Sequence, residues 1–147
     1  MRIYLDACCL NRLTDDQTQL RIRREAESVE LILKLMREGA IQWIVSEALI
    51  DEIERNPESE RRIETLTLLK LASARVEVDR PVGERARELQ AQGYDAYDAL
   101  HLACAEAARA DVLLTTDDKF MKRAARGEGQ PLVAVRNPLS WVQEGSS

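Results

Sequence analysis

The hydrophobic positions of this chain follow two rhythms. Arg2 to Leu5 is an apolar run without polar alternation that stops on a carboxylate, Asp6, followed at once by Ala7, Cys8 and Cys9. Such a run predicts a strand buried on both faces, as in a parallel sheet covered by helices. Ile41 to Val45, Val112 to Thr115 and Leu132 to Val135 repeat the signal, and Arg75 to Val78 gives a weaker one suited to a sheet edge. Between these runs the period changes. Ile22, Ala26, Val29, Leu33 and Met36 recur at spacings of four and three, which predicts a helix from about Gln19 to Arg37, stopped by Gly39.

Ser46 is placed to cap a helix that carries Glu52 and breaks at Asn56-Pro57. Further helices are predicted from Glu60 to Ala72, from Pro81 to Gly93, from Asp95 to Ala110 and from Asp118 to about Ala125. Asn137-Pro138 opens a last turn, and the stretch after Asp6 through Asn11, Thr14, Asp15 and Asp16 reads as a polar loop. Strands alternating with helices predict an α/β fold: a three-layer α/β/α sandwich around a central, mainly parallel sheet of four to five strands. The whole of 1–147 reads as one domain. Ligands of such sheets bind outside the carboxyl ends of the strands, so Asp6 should stand at the rim of a site on the most central strand.

Composition narrows the class without naming a function. With 45% hydrophobic and 32% charged residues, the chain is an ordinary globular one. No run approaches the length needed to span a bilayer, and no basic region precedes a long apolar one, so a cytoplasmic protein without membrane attachment is expected. Three cysteines, two adjacent, form neither a disulfide framework nor a zinc pattern, and they read as small buried residues in a reducing compartment. The net charge of −5 argues against wholesale electrostatic binding of nucleic acid. Local basic groups at Arg21, Arg23 and Arg24, at Arg61 and Arg62, and at Lys122, Arg123 and Arg126 read first as solvated helix faces.

Four acids fall where strand ends and helix starts should meet: Asp6, Glu52, Asp98 and Asp117. Each has a bland alternative. Asp6 and Asp117 could cap the turns they open, Glu52 could be a solvated helical acid, and Asp95 with Asp98 resembles a capping box. Together they carry more weight, because four carboxylates at one rim repel one another unless protonated or balanced by cations. Mg²⁺ or Mn²⁺ takes hard oxygen ligands and suits an all-carboxylate cluster. Such an ion can polarise a phosphate and favour ionisation of a water, and no nucleophile–base dyad is needed.

These motifs resemble those of the PIN domain family, and most closely VapC-type toxins of toxin–antitoxin pairs. Met1-Arg-Ile-Tyr-Leu-Asp6 is similar to the family's opening strand and first acid, and Ser46 with Glu52 to its second motif. Asp98-Ala-Leu-His-Leu-Ala103 resembles the third, and Leu114-Thr-Thr-Asp117 with Phe120 the fourth. The resemblance covers nearly the full chain. It implies a ribonuclease dependent on Mg²⁺ or Mn²⁺, with Asp6, Glu52, Asp98 and Asp117 as metal-binding acids supported by Thr115 and Ser46. It also implies an RNA substrate, an antitoxin partner and a homodimer. Asn11 is a further polar candidate near the site. Asp95 shares a helix face with Asp98, and Asp118 adjoins Asp117, so either could also reach the metal. His101, the only histidine, reads as a core or supporting imidazole rather than a zinc ligand. The alternative from another class is a non-catalytic module of the same fold that binds RNA or protein. A phosphorylatable receiver domain fits less well, because Asp6 lacks the neighbouring acid of that arrangement. A haloacid-dehalogenase phosphatase is disfavoured because Cys8 stands at the second acid of its Asp-x-Asp motif.

Overall fold

Ile3, Tyr4 and Leu5 are completely buried, and successive side chains enter opposite cores. In this computed structural model, which describes residues 1–145, they form strand β1 (Arg2–Leu5). The other strands are β2 (Gln42–Ser46), β3 (Ala74–Val76), β4 (Val112–Leu114) and β5 (Ala134–Arg136). Their order is β3-β2-β1-β4-β5, and every neighbouring pair is parallel. β1 is therefore the central strand, with Tyr4 in register with Ile44 on one side and Leu113 on the other.

The helices are α1 (Ala7–Asn11), α2 (Leu20–Arg37), α3 (Glu47–Glu54), α4 (Ser59–Leu68), α5 (Arg80–Ala91), α6 (Ala96–Ala107), α7 (Asp118–Ala125) and α8 (Pro138–Gln143). One core joins Ile3, Leu5, Trp43, Val45 and Leu114 to Val29, Ile32 and Leu33 of α2 and Trp141 of α8. The other joins Tyr4, Ile44 and Leu113 to Leu89 of α5, Leu102 and Ala103 of α6, and Phe120 of α7. That alternation gives three layers, with both sheet faces covered, and it accounts for the lack of polar alternation in β1.

The elements match the expected ones with three differences. The stretch after Asp6 begins with a helical turn, α1, rather than a loop. Ala7, Cys9 and Leu10 are buried there, and the Asp6 carboxylate accepts the Cys9 N–H. One turn is too short to display a period. Residues Leu69–Leu71 form a 3₁₀ turn after α4 instead of prolonging it. The last strand starts at Ala134, not Leu132, which is 82% exposed. Pro131 has no N–H for a ladder and Gln130 sits at φ 52°, so the chain joins the sheet only afterwards. Among the described residues, no helix is long and apolar enough to cross a membrane.

Candidate active site

Parallel strands place all their carboxyl ends on one rim, and the chain turns into helices there. Asp6 follows β1 directly. Its N–H donates to the carbonyl of Leu114 at 3.1 Å, and its Oδ1 accepts the Cys9 N–H at 3.1 Å, so the side chain is pinned while only 1% exposed. Thr115, fully buried, follows β4. Its Oγ1 accepts the Asp117 N–H at 3.1 Å, and its hydroxyl also bonds toward Asp6. Asp117 caps α7, its Oδ1 accepting from Lys119 and Phe120 at 2.9 and 3.3 Å. The capping roles of Asp6 and Asp117 are thus real, and each uses a single oxygen. No backbone N–H bonds the second oxygen of either carboxylate among the described residues.

Asp98 lies in the first turn of α6. Because α6 leads straight back into β4, its first turn lies over the carboxyl ends of the strands. The capping box does not form there, for Asp95 occupies the N-cap without a side-chain bond. Glu52 comes from α3, whose N-cap is Ser46, the last residue of β2; Ser46 Oγ accepts the Leu49 N–H at 3.0 Å. Glu52 is 30% exposed, and its Oε1 accepts from His101 Nε2 at 2.8 Å.

The acids act on one another. Burial, opposed by His101, by the Thr115 hydroxyl and by the Cys9 N–H, and aided by Glu52, lifts the Asp6 carboxyl from 3.8 to about 6. Burial, then the charges of Asp6 and Asp117, lift Asp98 to about 7, against the pull of His101. The half-buried Cys8 thiol is pushed far up, by burial first and then by Asp6, Glu52, Asp98 and Asp117 together.

Among the described residues no Lys or Arg forms an ion pair with Asp6, Asp98 or Asp117. An oxygen-only donor set without basic partners, in which Asp6 is buried and both Asp6 and Asp98 are reluctant to ionise, suits a hard divalent cation. The acids are nevertheless spread: no three Asp, Glu, His or Cys side chains among the described residues close to metal-ligand spacing around one point.

The supporting candidates separate. Asp95 is exposed, and Asn11 uses its backbone carbonyl to accept from Arg61. Asp118 turns outward into a two-bond pair with Arg21, both at 2.8 Å, which draws its carboxyl below the ordinary value. Arg21 also holds the Thr116 carbonyl at 3.1 Å and the buried Glu25 at 3.3 Å. Glu25, 1% exposed, is completed by Arg12 and Asn137. The turn carrying Asp117 is therefore strapped to α2. No local pattern announces this strap, because Arg21 and Asp118 lie 97 residues apart. Tyr4 was missed as well. Its clue was a lone phenol in an otherwise apolar strand, which must find a partner when buried. Its OH meets His101 Nδ1 at 2.7 Å and Ser46 Oγ at 2.6 Å.

Comparison with known proteins adds an independent line. A family model described as PIN domain matches residues 3–127. No curated protein matches the chain. Among solved structures, VapBC2 from Rickettsia felis, bound to a DNA fragment from their promoter, is similar with a TM-score of 0.64 and 15% identity, over 93% of this chain and 98% of that one. PAE2754 from Pyrobaculum aerophilum is similar with a TM-score of 0.53 and 17% identity, over 100% of this chain and 91% of that one. At such identities the two structures speak for the fold.

Proposed function

Because this chain belongs to the PIN domain family, we propose that it is an endoribonuclease that hydrolyses RNA phosphodiesters with water and depends on Mg²⁺ or Mn²⁺. Asp6, Glu52, Asp98 and Asp117 would hold the metal. When bound, a divalent ion supplies charge to polarise a phosphate and to favour ionisation of a water. The chain's own part is to position the acids. Cys9 N–H and Thr115 fix Asp6, the first turn of α7 fixes Asp117, and His101 fixes Glu52. The observation that carries this reading is a pair of carboxyls, the buried Asp6 and the partly buried Asp98, held near 6 and 7 with no Lys or Arg paired to either among the described residues. A pocket that pays for uncompensated acids is arranged for a cation from outside.

The reading extends to a cytoplasmic toxin, a homodimer, restrained by an antitoxin. The likeness to VapBC2 supports the antitoxin partner. The test is cleavage of total cellular RNA in Mn²⁺ by the wild type and by Asp6→Asn and Asp98→Asn. Both variants should stay folded and lose cleavage, and undiminished cleavage by both refutes the mechanism. A second reading, a non-catalytic module that binds RNA or protein, is favoured by the spread of the acids. It predicts no rise in Tm with millimolar Mn²⁺, whereas an ion at one hundred times its Kd stabilises by about 2.7 kcal/mol.

A further inference from the structure

Three side chains outside the acid cluster, Ser46, Tyr4 and His101, form a circuit behind Glu52. Ser46 ends β2 and caps α3, the helix that bears Glu52. Glu52 Oε1 meets His101 Nε2 at 2.8 Å, His101 Nδ1 meets Tyr4 OH at 2.7 Å, and Tyr4 OH meets Ser46 Oγ at 2.6 Å. The circuit thus ties β1, β2 with α3, and α6 through a single buried imidazole, 1% exposed. The ring is also fixed by its neighbours, with the Tyr4 ring tilted against it at 5.6 Å and the Tyr97 ring stacked on it at 6.1 Å and 23°.

With Glu52 ionised and the imidazole neutral, the donors and acceptors fit one assignment. An ionised Glu52 can only accept, so Nε2 carries the proton and donates. In the neutral imidazole Nδ1 then accepts, so Tyr4 must donate its O–H to it. Ser46 in turn donates to the Tyr4 oxygen while accepting the Leu49 N–H. No group in the circuit is left over. We propose that His101, held by Tyr4 and Ser46, is a positioning residue that presents the Glu52 carboxylate to the acid pocket in a fixed orientation. A merely structural histidine would need partners but no carboxylate from the site. Here the one ring nitrogen facing the site ends on Glu52, which shares the pocket with Asp6 and Cys8. The role rests on the proposed metal-dependent activity and assigns it a residue that does not itself touch the metal.

The test compares His101→Leu, His101→Gln, His101→Asn and Tyr4→Phe in calorimetric Mn²⁺ affinity, in kcat on total cellular RNA, and in Tm. Gln can present an amide N–H where Nε2 stands, whereas the Asn amide mimics Nδ1 and falls short of Glu52. His101→Leu and His101→Asn should lose roughly tenfold to a hundredfold in Mn²⁺ affinity and kcat, the range found when a group that orients a metal ligand is removed. His101→Gln should recover most of that, and Tyr4→Phe should lose less, because its imidazole keeps the Nε2 proton. His101→Leu matching the wild type in affinity and kcat overturns the role. So does His101→Gln being as impaired as His101→Asn, a comparison that holds even if His101→Leu fails to fold. A wild type that neither binds Mn²⁺ nor cleaves RNA overturns the proposed activity itself, and the positioning role with it. A wild type that does both, beside an unimpaired His101→Leu, removes only the positioning role.

Discussion

Asp6→Asn should make the metal-free protein more stable at alkaline pH, although it removes the central acid of the site. Asn caps a helix as well as Asp does and keeps an oxygen for the Cys9 N–H, so the local structure at α1 survives. What changes is the charge. The folded protein holds the Asp6 carboxyl at about 6, against 3.8 when the chain is unfolded. That is roughly a hundredfold gain in proton affinity, worth about 3 kcal/mol. The sign follows from which state keeps the proton. As pH rises from about 4, the unfolded chain releases it first, so stability falls through the window from about 4 to about 6 and levels off above. Asn has no such penalty. The assay is urea unfolding of both proteins in chelator at pH 4 and pH 8, where groups not coupled to Asp6 cancel in the difference, and the relief of Asp98 adds to the effect with the same sign. The two should differ little at pH 4, and the variant should be more stable by up to about 3 kcal/mol at pH 8. A variant less stable than wild type at pH 8, or a difference that does not grow between the two pH values, would refute the reasoning.

Other perturbations probe the scaffold. Glu25→Ala leaves Arg12 without its buried partner and loosens Arg21 and Asn137, so unfolding in urea should show a loss of about 3–5 kcal/mol. Gly93→Ala should lower stability by more than about 1 kcal/mol in the same assay, because Gly93 has φ 105° and a Cβ there would lie 2.3 Å from Arg123 Nη1. Cys8 should resist iodoacetamide at pH 8 in the folded protein and react in concentrated urea, since the neighbouring acids and burial hold its thiol protonated. Labelling of the folded protein at the rate of a free thiol would contradict that environment.

How much of this was legible in the sequence depended on distance along the chain. β1, β2 and β4 could be read because both faces are buried and their centres are apolar, Ile3 to Leu5, Trp43 to Val45 and Val112 to Leu114. The period of α2 was legible for the same reason, with Ala26, Val29, Leu33 and Met36 all buried. The edge strands, at three residues each, gave weak or shifted signals. The four acids were legible because each ends a strand or lies within the helix next to one. Thr115, Ser46 and His101 could be read as supports, but the partners they use could not. Tyr4 finds Ser46 and His101 at separations of 42 and 97 residues, and Glu25 finds Asn137 at 112. No local pattern encodes such pairs, and only the parallel topology brings them together. Arg21 and Arg61 read as solvated cations for the same reason, yet they pair with Asp118 at the surface and with the partly buried Asp15.

The most direct measurement is anomalous diffraction from crystals grown or soaked in Mn²⁺. An anomalous peak bounded by Asp6, Glu52, Asp98 and Asp117, absent in the Asp6→Asn protein, is the result predicted here. Crystals that carry no Mn²⁺ at this rim at millimolar concentration, or that carry it only elsewhere, would contradict a metal-dependent nuclease.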